Sequence, residues 1–113
     1  MIEKDVVIIG GGPAGLATAV ELWKKSITNI LILEREAYLG GILRQCIHDG
    51  FGLTRFGETL SGPEYAQRFI DEVETLQIPY MTDAMVLDIS KDKVVTAACR
   101  DGLKTWKAQA VVL

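Results

Sequence analysis

Apolar residues follow two rhythms along this chain, one of strands and one of helices. Asp5 to Ile9 is a short β-branched run that ends at glycine, which predicts a strand buried on both faces. From Ala14 to Lys25 the spacing changes. Leu16, Val20 and Trp23 recur at helical intervals, with Ala19 and Leu22 beside them. Pro13 stands where a first helical turn tolerates a missing N–H, and Lys24 and Lys25 fall at the negative end of the helix. Asn29 to Leu33, apolar from Ile30 on, reads as a second buried strand. Strand, helix and strand together have the length of a parallel crossover unit.

The rhythm then breaks. Between residues 40 and 62 six glycines occur (Gly40, Gly41, Gly50, Gly52, Gly57 and Gly62) with little periodicity. Long irregular stretches inside a small domain are usually functional or ordered by a ligand. Ser61-Gly62-Pro63-Glu64 reads as a helix start, and Ala66, Phe69, Ile70, Val73 and Leu76 form the stripe that this helix buries. After Pro79 the pattern is β. Tyr80 to Ser90 reads as one extended run and residues 91–93 as a turn. Val94 to Arg100 reads as a strand, Asp101-Gly102 as a tight hairpin turn and Leu103 to Lys107 as its return. Ala110 to Leu113 begins another buried strand, and the sequence ends inside it. A buried strand cut short leaves backbone groups unpaired, so the 113 residues are expected to be the N-terminal part of a longer protein. The predicted fold is α/β: a Rossmann-like parallel sheet built on one βαβ unit, with a β-hairpin or meander inserted.

Composition narrows the partners. A chain of 113 residues with 49% hydrophobic and 24% charged residues has the make-up of one ordinary globular domain. Its net charge of -3, with no basic stripe, argues against nucleic acid and anionic membranes as partners. Cys46 and Cys99 form no CxxC pair, and the N-terminal apolar run is too short for a signal peptide or a bilayer span, so a reducing cytoplasm is expected.

The candidate chemistry lies at the first turn. Gly10-Gly11-Gly12-Pro13-Ala14-Gly15 separates the first strand from the first helix, and Glu34 follows at the end of the second strand. In such a fingerprint Gly10 permits the tight turn, Gly12 lets backbone approach a pyrophosphate, and Gly15 allows close helix–strand packing. The N–H groups and dipole of the helix start then attract phosphate. A carboxylate at position 34 suits the two ribose hydroxyls of an adenosine and repels a 2′-phosphate. A small-molecule dinucleotide is the expected ligand.

This motif, with Ala19, Leu22, the pair Glu34-Arg35 and the pair Gly40-Gly41, resembles the FAD-binding N-terminus of the pyridine nucleotide-disulfide oxidoreductase superfamily, the two-dinucleotide-binding-domain flavoproteins. The resemblance covers essentially the whole chain and implies that residues 1–113 are an FAD-binding domain. It implies FAD contacts at Gly10, Gly12, Pro13, Ala14, Gly15, Glu34, Arg35, Gly41, Ile42 and Gln45, with Arg44 also near by position. It further implies an NAD(P)H-linked oxidoreductase whose nicotinamide site lies in a second domain outside these residues, with a partner subunit possible in the intact enzyme. The fragment alone is expected to be inactive. A narrower likeness, carried by residues 41–52 and 61–65, is to enzymes grouped with anaerobic glycerol-3-phosphate dehydrogenase and sarcosine-oxidase-type large subunits. That leaves an amine- or glycerol-3-phosphate-oxidising flavoprotein as an alternative, beside a dinucleotide-binding module without catalysis.

One departure is informative. Disulfide reductases of the lipoamide type carry a CxxxxC pair after the glycine pair. Here Cys46 is present but Phe51 occupies the second place, so no local dithiol can form. Cys46 is either a flavin-adjacent thiol or a small half-buried apolar residue. His48, the single histidine, is either a proton donor near the flavin or a loop histidine. One histidine and two distant cysteines make no metal site. Arg35 lies along the adenosine or is a solvated strand end, Cys99 is structural, and Trp106 faces either its hairpin partner or solvent.

Overall fold

A computed structural model of the chain describes residues 1–41 and 62–113. Strand β1 (Ile2–Ile9) leads into helix α1 (Pro13–Lys24) and strand β2 (Ile30–Leu33). Helix α2 (Gly62–Leu76) follows, then β3 (Tyr80–Met81), β4 (Met85–Ile89), β5 (Val94–Cys99) and β6 (Gly102–Val112). Among the described residues these strands form one six-stranded sheet in the order β3-β2-β1-β6-β5-β4. The pairs β3–β2, β2–β1 and β1–β6 are parallel; β6–β5 and β5–β4 are antiparallel. The expected α/β, Rossmann-like sheet with an attached meander is the architecture observed.

Alternation along the central strands divides the core into two layers. Val6 and Ile8 of β1 lie beside Ile30 and Ile32 of β2 in register. They pack with Leu16, Ala19 and Val20 of α1 and with Phe69, Ile70 and Val73 of α2. Val7 and Leu31, also in register, point to the opposite layer with Leu33, and there they meet Val95, Ala97, Trp106 and Ala108 of the meander. A strand segment covered on both faces has no polar side to show, which is why Val6–Ile9 of β1 and Ile30–Leu33 of β2 read as continuous apolar runs, whereas the earlier residues of β1, Ile2 to Asp5, are polar in part and less buried.

The two helices among the described residues end in the same way. Ser26 (φ 67°) and Gln77 (φ 58°) adopt the left-handed conformation just past α1 and α2. The N–H of Ile27 donates to Leu22 O (3.0 Å), and that of Ile78 to Val73 O (3.0 Å). These are Schellman closures, each with a following apolar residue, but neither uses the usual glycine.

Five expectations about the β region are corrected. The run Tyr80–Ser90 is two strands: after Met81 the chain bends at Asp83 (φ 53°), whose N–H donates to Glu36 O (2.8 Å), and only then starts β4. The hairpin turn is Arg100-Asp101, because Cys99 already pairs with Gly102. Residues 103–107 and 110–112 are one strand; nothing between them breaks pairing, since β6 passes directly from β5 to β1 as its neighbour. Its end is also less buried than expected, with Ala110 exposed and Val111 and Val112 only part-buried. Trp106 faces neither solvent nor the hairpin alone; at 2% exposure it fills the layer beneath β1 and β2.

Candidate functional site

The site forms where β1 gives way to α1, at the carboxyl ends of the parallel strands. β1 sits between β2 and β6, so the chain leaves it toward one side while the sheet continues on the other. Such a switch point opens a crevice in α/β sheets. A cleft of 240 Å³ lies there, and Gly10, Gly12, Pro13, Ala14 and Gly15 line it together with Thr18 and Val112.

Each glycine of the turn has a distinct environment. Gly10 has φ 108°, a conformation that L side chains rarely adopt, and its N–H donates to Leu33 O (2.8 Å). Gly15 is a close approach: a Cβ there would stand 2.0 Å from Gly10 O. Gly12 is the opposite case, since a Cβ at that position would meet no protein atom within 4 Å and would stand in open space. That open space lies beside the helix start. Gly12 caps α1 without a side-chain hydrogen bond, and the first turn of the helix carries no acidic residue. The leading amides of α1 and its dipole therefore favour an anion.

Glu34 is the buried charged residue among those described, at 7% exposure. Its Oε1 accepts the N–H of Gly11 at 2.7 Å and its Oε2 accepts the N–H of Glu36 at 2.7 Å. A carboxylate offers about four lone-pair sites, so both oxygens retain capacity for a further donor such as a hydroxyl. The glycine pair reaches the same place. Gly40 donates its N–H to Gly11 O (2.8 Å), and a Cβ on Gly41 (φ 61°) would lie 3.2 Å from the Gly12 Cα.

The structure thus brings together Gly10, Gly12, Pro13, Ala14, Gly15, Glu34 and Gly41. Arg35 is set apart, with its side chain 74% exposed and its Nε 3.6 Å from Glu36 Oε1. Ile42, Arg44, Gln45, Cys46, His48 and Ser61 lie outside the described residues. Two participants were not picked out from sequence. Gly11 supplies the amide that Glu34 holds, and a Cβ there would fall 2.6 Å from Leu39 Cδ2. The third adjacent glycine and an apolar residue just before Gly40-Gly41 were the available signals. Among the described residues no cluster of His, Cys, Asp and Glu is arranged to hold a metal ion. No helix among them is long and apolar enough to cross a membrane.

Comparison with known proteins agrees with this geometry. Residues 7–55 match the family described as pyridine nucleotide-disulphide oxidoreductase. Thioredoxin reductase from Ureaplasma parvum is 36% identical over 81 residues, covering 71% of this chain and 25% of that protein. Thiamine thiazole synthase from Aeropyrum pernix is 32% identical over 112 residues, covering 99% of this chain and 37% of that protein. The chain therefore spans well under half the length of these relatives. Among solved structures, L-proline dehydrogenase from P. horikoshii superimposes with a TM-score of 0.76 at 24% identity, over 97% of this chain and 22% of that one, a likeness of fold. With its glycine turn, its buried strand-end glutamate and its parallel sheet with an attached meander, the chain belongs to the pyridine nucleotide-disulphide oxidoreductase superfamily.

Proposed function

We propose that residues 1–113 hold the adenosine diphosphate half of FAD within a flavin-dependent oxidoreductase. The observation that carries this reading is the pairing of an open phosphate cradle at Gly12 with the buried carboxylate of Glu34, joined through Gly11. The amides at the start of α1 bind the pyrophosphate, and the helix dipole offsets its charge. Gly10 and Gly15 fix the turn so that no side chain intrudes. Glu34 keeps its two backbone donors and accepts the ribose hydroxyls on its remaining lone pairs; its charge disfavours a 2′-phosphate. Gly40 and Gly41 themselves lie against Gly11 and Gly12. When bound, FAD supplies hydride-accepting chemistry, which the protein positions and shields.

The FAD preference draws support from relatives described as FAD-dependent, such as an oxidoreductase of Marinomonas mediterranea. NAD(P)H as electron donor is supported by the description of the matched family, and its site is expected in a second nucleotide-binding domain. Titration of the purified protein with FAD, NAD⁺ and NADP⁺ tests the reading. A flavin absorbance and fluorescence change at one FAD per chain is expected, with NADP⁺ the weakest ligand. Tighter binding of either nicotinamide dinucleotide than of FAD, or binding of none, overturns it.

A further inference from the structure

A chain of hydrogen bonds joins Glu34 to the tip of the hairpin between β5 and β6. Asp83 holds a left-handed backbone (φ 53°), a conformation that asparagine and aspartate tolerate better than most residues. Its Oδ2 accepts a hydrogen bond from Arg100 Nη2 at 2.5 Å, and its own N–H donates to Glu36 O at 2.8 Å. On either side, Ala84 N–H donates to Glu34 O (3.0 Å) and Glu34 N–H to Met81 O (2.9 Å). Glu36 N–H in turn holds Glu34 Oε2, and Glu34 Oε1 holds Gly11 N–H. An unbroken path of polar contacts therefore runs from Arg100 to the glycine turn.

We propose that Asp83 and Arg100 form a latch that positions the Glu34 carboxylate, and through it Gly11, for the ribose of the cofactor; the ribose role rests on the FAD reading above. The ion pair is poorly placed to serve global stability. The Arg100 side chain is 76% exposed and that of Asp83 29% exposed, a setting in which ion pairs contribute little. What the pair does fix is the direction of the Asp83 side chain, and with it a bend whose backbone donors are spent on residues 34–36. Asp83 and Arg100 are positioning residues; neither is assigned contact with the ligand.

The test has two arms, run on the same protein and on Asp83→Asn, Arg100→Ala, Arg100→Lys and the Asp83→Asn/Arg100→Ala pair. Asparagine keeps the tolerance for positive φ while removing the charge. In the ligand-free protein, amide hydrogen exchange at Gly11 and Glu36 is expected to speed up in Arg100→Ala and in Asp83→Asn, while Arg100→Lys stays near the wild type. In the binding arm, Arg100→Ala is expected to weaken FAD binding about threefold to tenfold. The double variant is expected to be no weaker than either single one, and the difference from wild type should shrink at high salt. Unchanged exchange at both amides, or additive losses in the double variant, overturns the latch. Failure of the wild type to bind FAD overturns the cofactor reading instead, and the exchange arm still decides the latch.

Discussion

The Glu34 carboxylate and the Gly11 amide are bonded at 2.7 Å, linking the end of β2 to the turn after β1. With the other oxygen on Glu36 N–H, the side chain ties the glycine turn to the backbone just after β2.

Replacing Glu34 with Gln separates these duties. The amide retains one acceptor oxygen, so one of the two backbone donors faces an NH₂ group. Leaving a buried donor unpaired costs about 1–3 kcal/mol, and urea denaturation followed by circular dichroism should show a loss of that size. FAD affinity should fall as well. An unchanged unfolding midpoint would mean that the two backbone bonds do not matter.

Gly12 and Gly15 make a matched pair of probes. At Gly15 an added methyl collides with Gly10 O, a backbone atom that cannot step aside. Gly15→Ala should therefore destabilise by at least the roughly 1–3 kcal/mol typical of overpacking. At Gly12 the methyl meets no protein atom and the backbone is extended (φ -80°). Gly12→Ala should leave the melting temperature close to that of the wild type while lowering FAD affinity about tenfold or more, the loss being read by fluorescence titration. Equal effects on stability from the two variants would contradict this division.

Trp106 anchors the meander to the parallel strands. Trp106→Ala should cost about 3–5 kcal/mol by cavity formation and lost burial. Near-ultraviolet circular dichroism should lose the Trp106 contribution, and solvent-exposed indole emission from Trp106 in a Trp23→Phe background would refute the burial.

The closures of the helices predict a gain. Gln77 sits at φ 58° with no glycine to relieve it. Gln77→Gly should raise stability by about 0.5 kcal/mol, since relief of left-handed strain slightly outweighs the added freedom of the unfolded chain. Differential scanning calorimetry would detect the corresponding rise in melting temperature. A fall would show that the Gln77 side chain contributes more than its strain removes.

Much of this was legible from residue patterns, and the reasons are physical. β1, α1 and β2 are short elements whose apolar faces are set by local periodicity, and the glycines between them have conformations or close contacts that few other residues allow. The stripe of α2 was legible for the same reason: Ala66, Phe69, Ile70 and Val73 are all buried. The meander was not, because its breaks depend on tertiary pairing. Nothing in Tyr80–Ser90 announces that Asp83 will bend to meet Glu36. Nothing in residues 103–112 reveals that one strand serves two neighbours. Within the site, the glycines of the turn were visible from spacing, whereas the tie from Glu34 to Gly11 and Glu36 is a three-dimensional fact with no sequence period.

The long strand β6 also carries a consequence for folding order. It pairs Ile2 with Trp106, so the central strand gains its second neighbour from almost the far end of the described sequence. Pairings that distant close slowly, because loop entropy must be overcome before the contacts reward it. During synthesis β1 therefore has only β2 to pair with, and an apolar strand edge stays open until β6 has emerged. The glycine turn beside it gains the last wall of its cleft, at Val112, only when that edge is covered. Flavin uptake in the cell is then expected to follow completion of the sheet, making the cofactor a late reporter of folding and not its nucleus.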